Sequence, residues 1–452
     1  MVTWIETTDD ARWVAKPAPK AGATSELGIA LTGGKEQEVE GFGGCFNELG
    51  WLPLQSLAAE DREQVVKELF SPDELNFRLN RAPIGANDFA AGWYSYDETP
   101  GDYELKDFSV EGDERAVLPY IRAAKKYQPQ LTVHSSPWSP PTWMKNPPVY
   151  NYGKLVMTPE NLQAYANYFV KYVRAYRALG VNVTRIFPQN EPWSDAKYPT
   201  CKWTSEQLRT FIRDYLGPTF EREGLLGKAE EGGVEIWLGT LNGPRDMQFV
   251  SLYGMSLENY NRYVDNILMD DEARKYITGV GYQWEGRDCI ERTHKAWPEL
   301  KLMQTESECG MGDNSWEYAE YIFHLVNHYL THGALGYTYW NMVLAGTEST
   351  WGWHQNSLFS VDTEAKTFTR NPEYYVMRHY AHFVRPGARV LDVEGRFSSM
   401  ASAYENPDGT LAVVVQNALE REVEFSFADP SNAGRAFTAT LAPRSFSTFT
   451  LD

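Results

Sequence analysis

Residues 158–192 read TPENLQAYANYFVKYVRAYRALGVNVTRIFPQNEP, a helix followed at once by a strand that ends in polar residues. Thr158 is placed to cap the helix. Pro159 falls at the first helical position, where its missing N–H costs nothing, and Gly180 stands just past the end. Leu162, Tyr165, Phe169, Tyr172, Tyr176 and Leu179 recur at three- and four-residue intervals, so Pro159–Leu179 carries one apolar face. The strand Arg185–Gln189 comes next and runs into Asn190-Glu191-Pro192.

Working outward from this unit, the same alternation recurs from about residue 40 to residue 385. Val39–Gly44, Phe77–Ala82, Leu131–Ser135, Arg185–Gln189, Val234–Leu241, Thr278–Gln283, Lys301–Thr305 and Leu335–Trp340 all read as strands, with helical patterns between them. One of these helices opens on Thr204-Ser205-Glu206-Gln207, a capping box, with Leu208, Phe211, Ile212 and Tyr215 on its apolar side. Eight strand–helix alternations predict an α/β fold, a (β/α)₈ barrel with long insertions over residues 41–384. An open doubly wound sheet is the competitor. It lacks the phosphate loop that would support it: GFGGCF at Gly41 has neither the spacing of the third glycine nor an expected helix directly behind it.

After Pro386 the texture changes to short β-branched or alternating runs. Arg389–Val393, Met400–Tyr404, Thr410–Gln416, Glu422–Phe427, Ala436–Leu441 and Ser445–Leu451 are separated by turns such as Asn406-Pro407-Asp408-Gly409. Similar short strands, Ala11–Ala15 and Leu27–Leu31, lie near the start. Residues 1–40 and 385–452 are therefore expected to build one flanking all-β sandwich.

Charge narrows the partners. Lys plus Arg total 42 against 61 Asp plus Glu, a formal charge of −19 with no compensating basic run. That field repels phosphate backbones, which argues against nucleic acid and suits a neutral substrate. Aromatics reach 14%, including 15 Trp, and flat apolar faces with a polar edge match the C–H faces and hydroxyl rims of sugars. No run is long and apolar enough to insert in a membrane. The start, MVTWIETTDDARWVAKP, shows no secretory pattern, and Cys45, Cys201, Cys289 and Cys309 are scattered without a C-x-x-C. Free thiols in the cytoplasm are the expectation.

Reactive side chains of a parallel barrel gather at the carboxyl ends of its strands. Here those ends are polar and aromatic. Arg81 and Asp88 follow the second, Ser136-Pro137-Trp138 the third, and Asn190-Glu191 the fourth. Gln283-Trp284-Glu285 follow the sixth, Glu306 the seventh, and Trp340-Asn341 the eighth. Read alone, Glu191 also fits a surface carboxylate capping the next helix. Glu306, at the end of Met303-Gln304-Thr305, is a costly place for charge unless it has partners. Glu308, two residues on, is not excluded by spacing.

Two carboxylates on one barrel mouth can hydrolyse an acetal, one protonating the leaving oxygen while the other attacks the anomeric carbon. The negative charge of Glu306 is expected to raise the pKa of Glu191 and keep it protonated as the acid. Asn190, an amide beside that acid, is apt to bond a sugar 2-OH.

The motifs behind these residues resemble glycoside hydrolase family 30, the glucosylceramidase-like enzymes. The matching stretches are GFGGCFNELG at Gly41, RAPIGANDF at Arg81, SPWSPPTWMKN at Ser136, PQNEPW at Pro188, QTESECG at Gln304, YWNMVL at Tyr339 and HYAHFVRPGA at His379. The resemblance implies a retaining β-glycosidase with Glu191 as acid/base and Glu306 as nucleophile. It also implies Arg81, Asp88, Trp138, Asn190 and Trp340 around the sugar, and a sandwich drawn from both termini. Where such enzymes commonly read His-Trp-Tyr after the sixth strand, this chain reads Gln283-Trp284-Glu285. Glu285 is left either to bond substrate hydroxyls or to pair with Arg287. Ser349–Asn356, which holds Trp353, reads as a further substrate-facing loop.

The expected substrate is a β-linked glycoside, β-glucosides and β-1,6-linked ones first, with galactoside, xyloside and fucoside specificities open. No cofactor or metal is expected, since H-E-x-x-H, Cys/His ligand spacing and an EF-hand loop are all missing, and a Ser-His-Asp hydrolase would want a G-x-S-x-G that does not occur. A silent sugar-binding barrel is the alternative from another class, and a transglycosylase would use the same residues.

Overall fold

The computed structural model describes residues 2–243, 260–346 and 349–452. Its central sheet has eight parallel strands: β1 Gly41–Cys45, β2 Leu79–Ile84, β3 Thr132–Pro137, β4 Val183–Ile186, β5 Glu235–Leu241, β6 Ile277–Gln283, β7 Lys301–Glu306 and β8 Gly336–Asn341. Neighbours pair in chain order from β1 to β7, and β8 pairs with β1. Between β7 and β8, Leu302 bridges Ala334 and the Leu335 N–H donates to the Leu302 carbonyl at 2.8 Å. The sheet is thus closed, which excludes the doubly wound alternative, since that needs two free edges.

All eight strands expected from the sequence are present, with shifted ends. The largest shift is at β4, which stops at Ile186 rather than Gln189. Pro188 has no N–H to extend the ladder, so residues 187–191 leave the sheet. Contrary to expectation, a short helix, Glu48–Leu54, does follow GFGGCF. The glycines there serve close approach instead: a Cβ on Gly43 would lie 1.9 Å from the Leu79 carbonyl oxygen of β2.

The opening helix runs Pro159–Ala178. The Thr158 hydroxyl accepts from the Asn161 N–H at 3.3 Å, and Gly180 turns the chain at φ 78°. The Thr204–Gln207 capping box is formed in both directions. Apolar faces of these helices meet the outer faces of the strands in one core. A smaller cluster of Leu79, Phe187, Trp237, Met303 and Leu335 forms a separate core.

The flanking domain is one ten-stranded sheet rolled on itself, with strands from both ends of the chain. The sequence missed its first strand, Val2–Thr7, which pairs with Ser445–Leu451 along its whole length. Of Ala11–Ala15 only Val14–Ala15 is strand, and Leu27–Leu31 is part of a longer one, Gly28–Val39. Strand Leu411–Asn417 shows why the sandwich stays put. Leu411, Val413 and Val415 fill the sandwich's own core, while Ala412 and Val414 join the barrel's core. Phe446 does the same, stacking 5.5 Å from Phe323 on helix Trp316–Thr331. His379 on helix Pro372–Ala381 bonds Thr448 and Thr7 at 2.9 Å each, so a strand from each terminus is tied to one barrel helix. Among the described residues no helix is long and apolar enough to cross a membrane.

Candidate active site

The carboxyl ends of the strands surround a cavity of about 170 Å³. Glu191 reaches it from beyond β4. The backbone there is held by the Asn190 N–H on the Pro137 carbonyl (2.8 Å) and the Glu191 N–H on the Thr240 carbonyl (3.1 Å). Glu191 sits at φ 48°, a left-handed conformation that costs a side chain ~1–3 kcal/mol and persists only where neighbours enforce it. Trp284, at φ 50° where β6 ends, is the second such residue at the cavity. Both aim a side chain inward that an extended strand would have carried past.

Glu306, the last residue of β7, faces Glu191 across this space. Arg81 Nη1 donates to Glu306 Oε2 at 2.6 Å, and Trp284 Nε1 donates to Oε1 at 3.0 Å. On Glu191, Oε2 accepts from the Tyr198 hydroxyl at 2.6 Å and from Ser194 at 3.0 Å. A single nitrogen joins the two: Gln283 Nε2 lies 3.2 Å from Glu191 Oε1 and 3.2 Å from Glu306 Oε2. Those oxygens therefore cannot be farther apart than twice that distance.

Burial pushes the Glu306 carboxyl up to about 7; Arg81 opposes this, while the charge of Glu191 adds to it. Desolvation, more than like charge, drives that rise. Asp88 is raised well above the usual carboxylate range by burial, and then by Glu306 and Glu191. Its Oδ1 is buried without a hydrogen-bond partner among the described residues. A neutral carboxylic acid there can donate to a hydroxyl.

Of the residues singled out from the sequence, Glu191, Glu306, Asp88, Trp138, Asn190, Trp284, Glu285 and Trp353 line the cavity. Arg81, Gln283 and Trp340 do not. Each is almost wholly buried one layer behind the wall. Arg81 is a brace rather than a sugar contact. Beyond Glu306 its second nitrogen, Nη2, donates to Ser136 and to Asn190 Oδ1 at 2.8 Å each, and its guanidinium stacks 4.4 Å from the Trp138 ring. Trp340 stacks behind Trp138 at 5.5 Å and forms floor, not platform. Glu308 is excluded as the second carboxylate, because it pairs with Arg287 and accepts from Tyr321 at 2.7 Å. That engagement also turns the Arg287 guanidinium toward Glu308, not toward the cavity.

Asn190 Oδ1 takes three donors, from Arg81, Thr240 (3.1 Å) and Gln283 (3.2 Å). Its amide nitrogen is left for the cavity. The loop Ser349–Asn356 contributes Trp353 and Gln355, the latter accepting from Asn341 at 2.8 Å. Three lining residues went unread in the sequence: Ser194, Tyr198 and Asn242. Asn242 had a visible signal, being the polar residue just past β5.

The chain matches the glycosyl hydrolase family 30 TIM-barrel domain over residues 39–384 and the family's beta sandwich domain over residues 387–449. It is 28% identical to the lysosomal acid glucosylceramidase of Mus musculus over 439 residues, covering 90% of this chain and 80% of that protein. To an endo-1,6-beta-D-glucanase of Aspergillus fumigatus it is also 28% identical, with 91% and 86% covered. Among solved structures, SrfJ from Salmonella typhimurium superposes with a TM-score of 0.86 at 25% identity, covering 100% of this chain and 99% of that one. The endo-beta1,6-glucanase BT3312 superposes at 0.84 with 24% identity, covering 99% and 98%. Barrel, sandwich and the motifs that end the strands are thus accounted for together, and the chain belongs to glycosyl hydrolase family 30.

Proposed function

We propose that this glycosidase hydrolyses β-glucosides with retention, by double displacement, with Glu306 as nucleophile and Glu191 as general acid and then base. The observation that carries this reading is the shared bond from Gln283, which holds one oxygen of each glutamate 3.2 Å from the same nitrogen. An inverting pair stands ~6.5–9.5 Å apart to admit a water, and a retaining pair ~5–5.5 Å. A common donor supports the shorter spacing.

Glu306 attacks the anomeric carbon while Glu191 gives its proton to the departing glycosidic oxygen, so the C–O bond breaks as the ester bond forms. Water then loses a proton to Glu191, attacks the same carbon and frees Glu306. Two carboxylates this close share one proton at neutral pH. The groups of Arg81, Trp284 and Gln283 that donate to Glu306 are all N–H donors, one of them a cation, and none can accept from a protonated carboxyl, whereas the Tyr198 and Ser194 hydroxyls at Glu191 can. This environment favours the charge on Glu306 and the proton on Glu191. The amide nitrogen of Asn190, without a partner among the described residues, suits the sugar 2-OH, and Asp88, as a neutral acid, suits another hydroxyl.

The glucosyl unit is what the names of the two relatives have in common, and the 1,6-glucanases favour a β-1,6-linked glucan or oligosaccharide as the substrate. The test is turnover of an aryl β-glucoside, abolished in Glu306→Gln and partly restored by azide. The first-formed anomer is followed by NMR. Initial release of the α-anomer would overturn retention, and full activity of the Glu306→Gln variant would overturn the assignment.

A further inference from the structure

Gln283 closes β6 with its side chain fully buried, yet it touches both glutamates. Its amide orientation is dictated by its surroundings. Oε1 accepts from the Thr305 hydroxyl at 3.0 Å, while Nε2 has three acceptors at 3.2 Å: Asn190 Oδ1, Glu191 Oε1 and Glu306 Oε2. Flipping the amide would point its carbonyl oxygen at three other oxygens.

An amide nitrogen has two hydrogens for these three acceptors. Asn190 Oδ1 already receives Arg81 at 2.8 Å and Thr240 at 3.1 Å, so it is satisfied without Gln283. The two N–H groups are therefore available to the two glutamates. Other charged or titratable groups face the pair from every side. They are Arg81 on β2, Asp88 beyond it, Tyr198 beyond β4, Glu285 after β6, and the thiols of Cys45 and Cys309. Among the described residues Arg81 bonds only Glu306 of the pair and Tyr198 only Glu191, whereas Gln283 bonds both.

We propose that Gln283 is a positioning residue that couples the two glutamates, giving its stronger hydrogen bond to whichever carboxylate carries the charge. Hydrogen bonds to an ionised acceptor are roughly twice as strong as neutral ones. Before the first displacement the charge is on Glu306; once Glu306 is esterified and Glu191 has given up its proton, the charge is on Glu191, and the same nitrogen supports it there. The amide is neutral in both halves of the cycle, so it follows the charge without adding one. Sitting behind the cavity wall, it acts through the glutamates and not through the sugar. This rests on the two-glutamate reading above.

The test is Gln283→Leu, similar in size and without donors, assayed with an aryl β-glucoside across pH. Losing a donor to both anions raises the proton affinity of both, so both limbs of the kcat/KM profile move alkaline by about one unit. The inhibition constant of glucose stays within about twofold, because no sugar contact is lost. Unmoved limbs together with a raised glucose constant would overturn the proposal and make Gln283 a plain sugar ligand. Unmoved limbs with an unchanged glucose constant would overturn it as well.

Thr305→Val, which removes the hydroxyl propping the amide, gives a smaller shift in the same direction. It carries the test alone if Gln283→Leu does not fold, and unmoved limbs in it then overturn the proposal. Glu191→Gln and Glu306→Gln go through the same assay. Full turnover in either defeats the two-glutamate reading, whereas loss in both with unshifted limbs in the Gln283 and Thr305 variants defeats only the coupling.

Discussion

Replacing Arg81 by Met removes the one cation among the described residues in contact with Glu306 while keeping a long apolar side chain against Trp138. The guanidinium and carboxylate are in direct contact at 2.6 Å, with Arg81 fully buried and Glu306 nearly so. Unit charges whose centres lie ~4 Å apart attract by ~4 kcal/mol at an effective dielectric of ~20. That attraction is what opposes the desolvation of Glu306. Without it the carboxyl holds a proton more tightly by about three pH units, since each unit is worth ~1.4 kcal/mol. The nucleophile is then neutral over the working range, and kcat/KM on the acidic limb falls ~10³-fold. Arg81→Lys separates charge from geometry. It keeps the cation but cannot also reach Ser136 and Asn190, so it loses ~10-fold without moving the limb. The assay is kcat/KM against pH for an aryl β-glucoside, with the melting temperature as a check on folding. If Arg81→Met cost under tenfold with its pH profile unmoved, the idea that Arg81 keeps Glu306 charged would be refuted.

Asp113 gives a prediction about stability. Its carboxylate is buried and accepts from the hydroxyls of Tyr94 (2.6 Å), Tyr96 (2.6 Å) and Tyr176 (2.5 Å), and burial still raises it from 3.8 to about 6. A raised folded pKa means the native state holds the proton more tightly. The stabilisation is complete below the unfolded pKa and is lost as pH rises through about 6. Relative to Asp113→Asn, the natural protein should lose ~3 kcal/mol between about pH 4 and 7, measured by urea unfolding. A pH-independent difference would contradict this. Asn190→Ala should lower kcat/KM for an aryl β-glucoside by ~10–100-fold, and far less for the 2-deoxy analogue. Equal losses on both substrates would remove the 2-OH contact.

Much of the architecture was legible because its signals are local. A capping Thr158, a Pro159 and a three-to-four spacing specify a helix within one stretch of chain, and all eight barrel strands announced themselves in the same way. The exceptions follow from pairing. Val2–Thr7 is strand because Ser445–Leu451 lies beside it, some 440 residues away, and nothing near it in sequence says so. The two glutamates were legible as well, since a carboxylate where an apolar strand runs out is conspicuous wherever the chain goes.

Depth was not legible. Arg81, Gln283 and Trp340 looked no different from their cavity-lining neighbours, yet they sit one layer back, because the closing of β8 onto β1 and the turns at Glu191 and Trp284 decide which side chain reaches the opening. Sequence by itself determined the elements and the family and put Glu191 and Glu306 forward as the acidic pair, all carried by short-range pattern and residue chemistry. Only the tertiary structure decided that one buried amide from β6 holds both acids, and that burial raises the Glu306 carboxyl. Hydrogen bonds and desolvation depend on distances between segments remote in the chain, and residue order does not contain those distances.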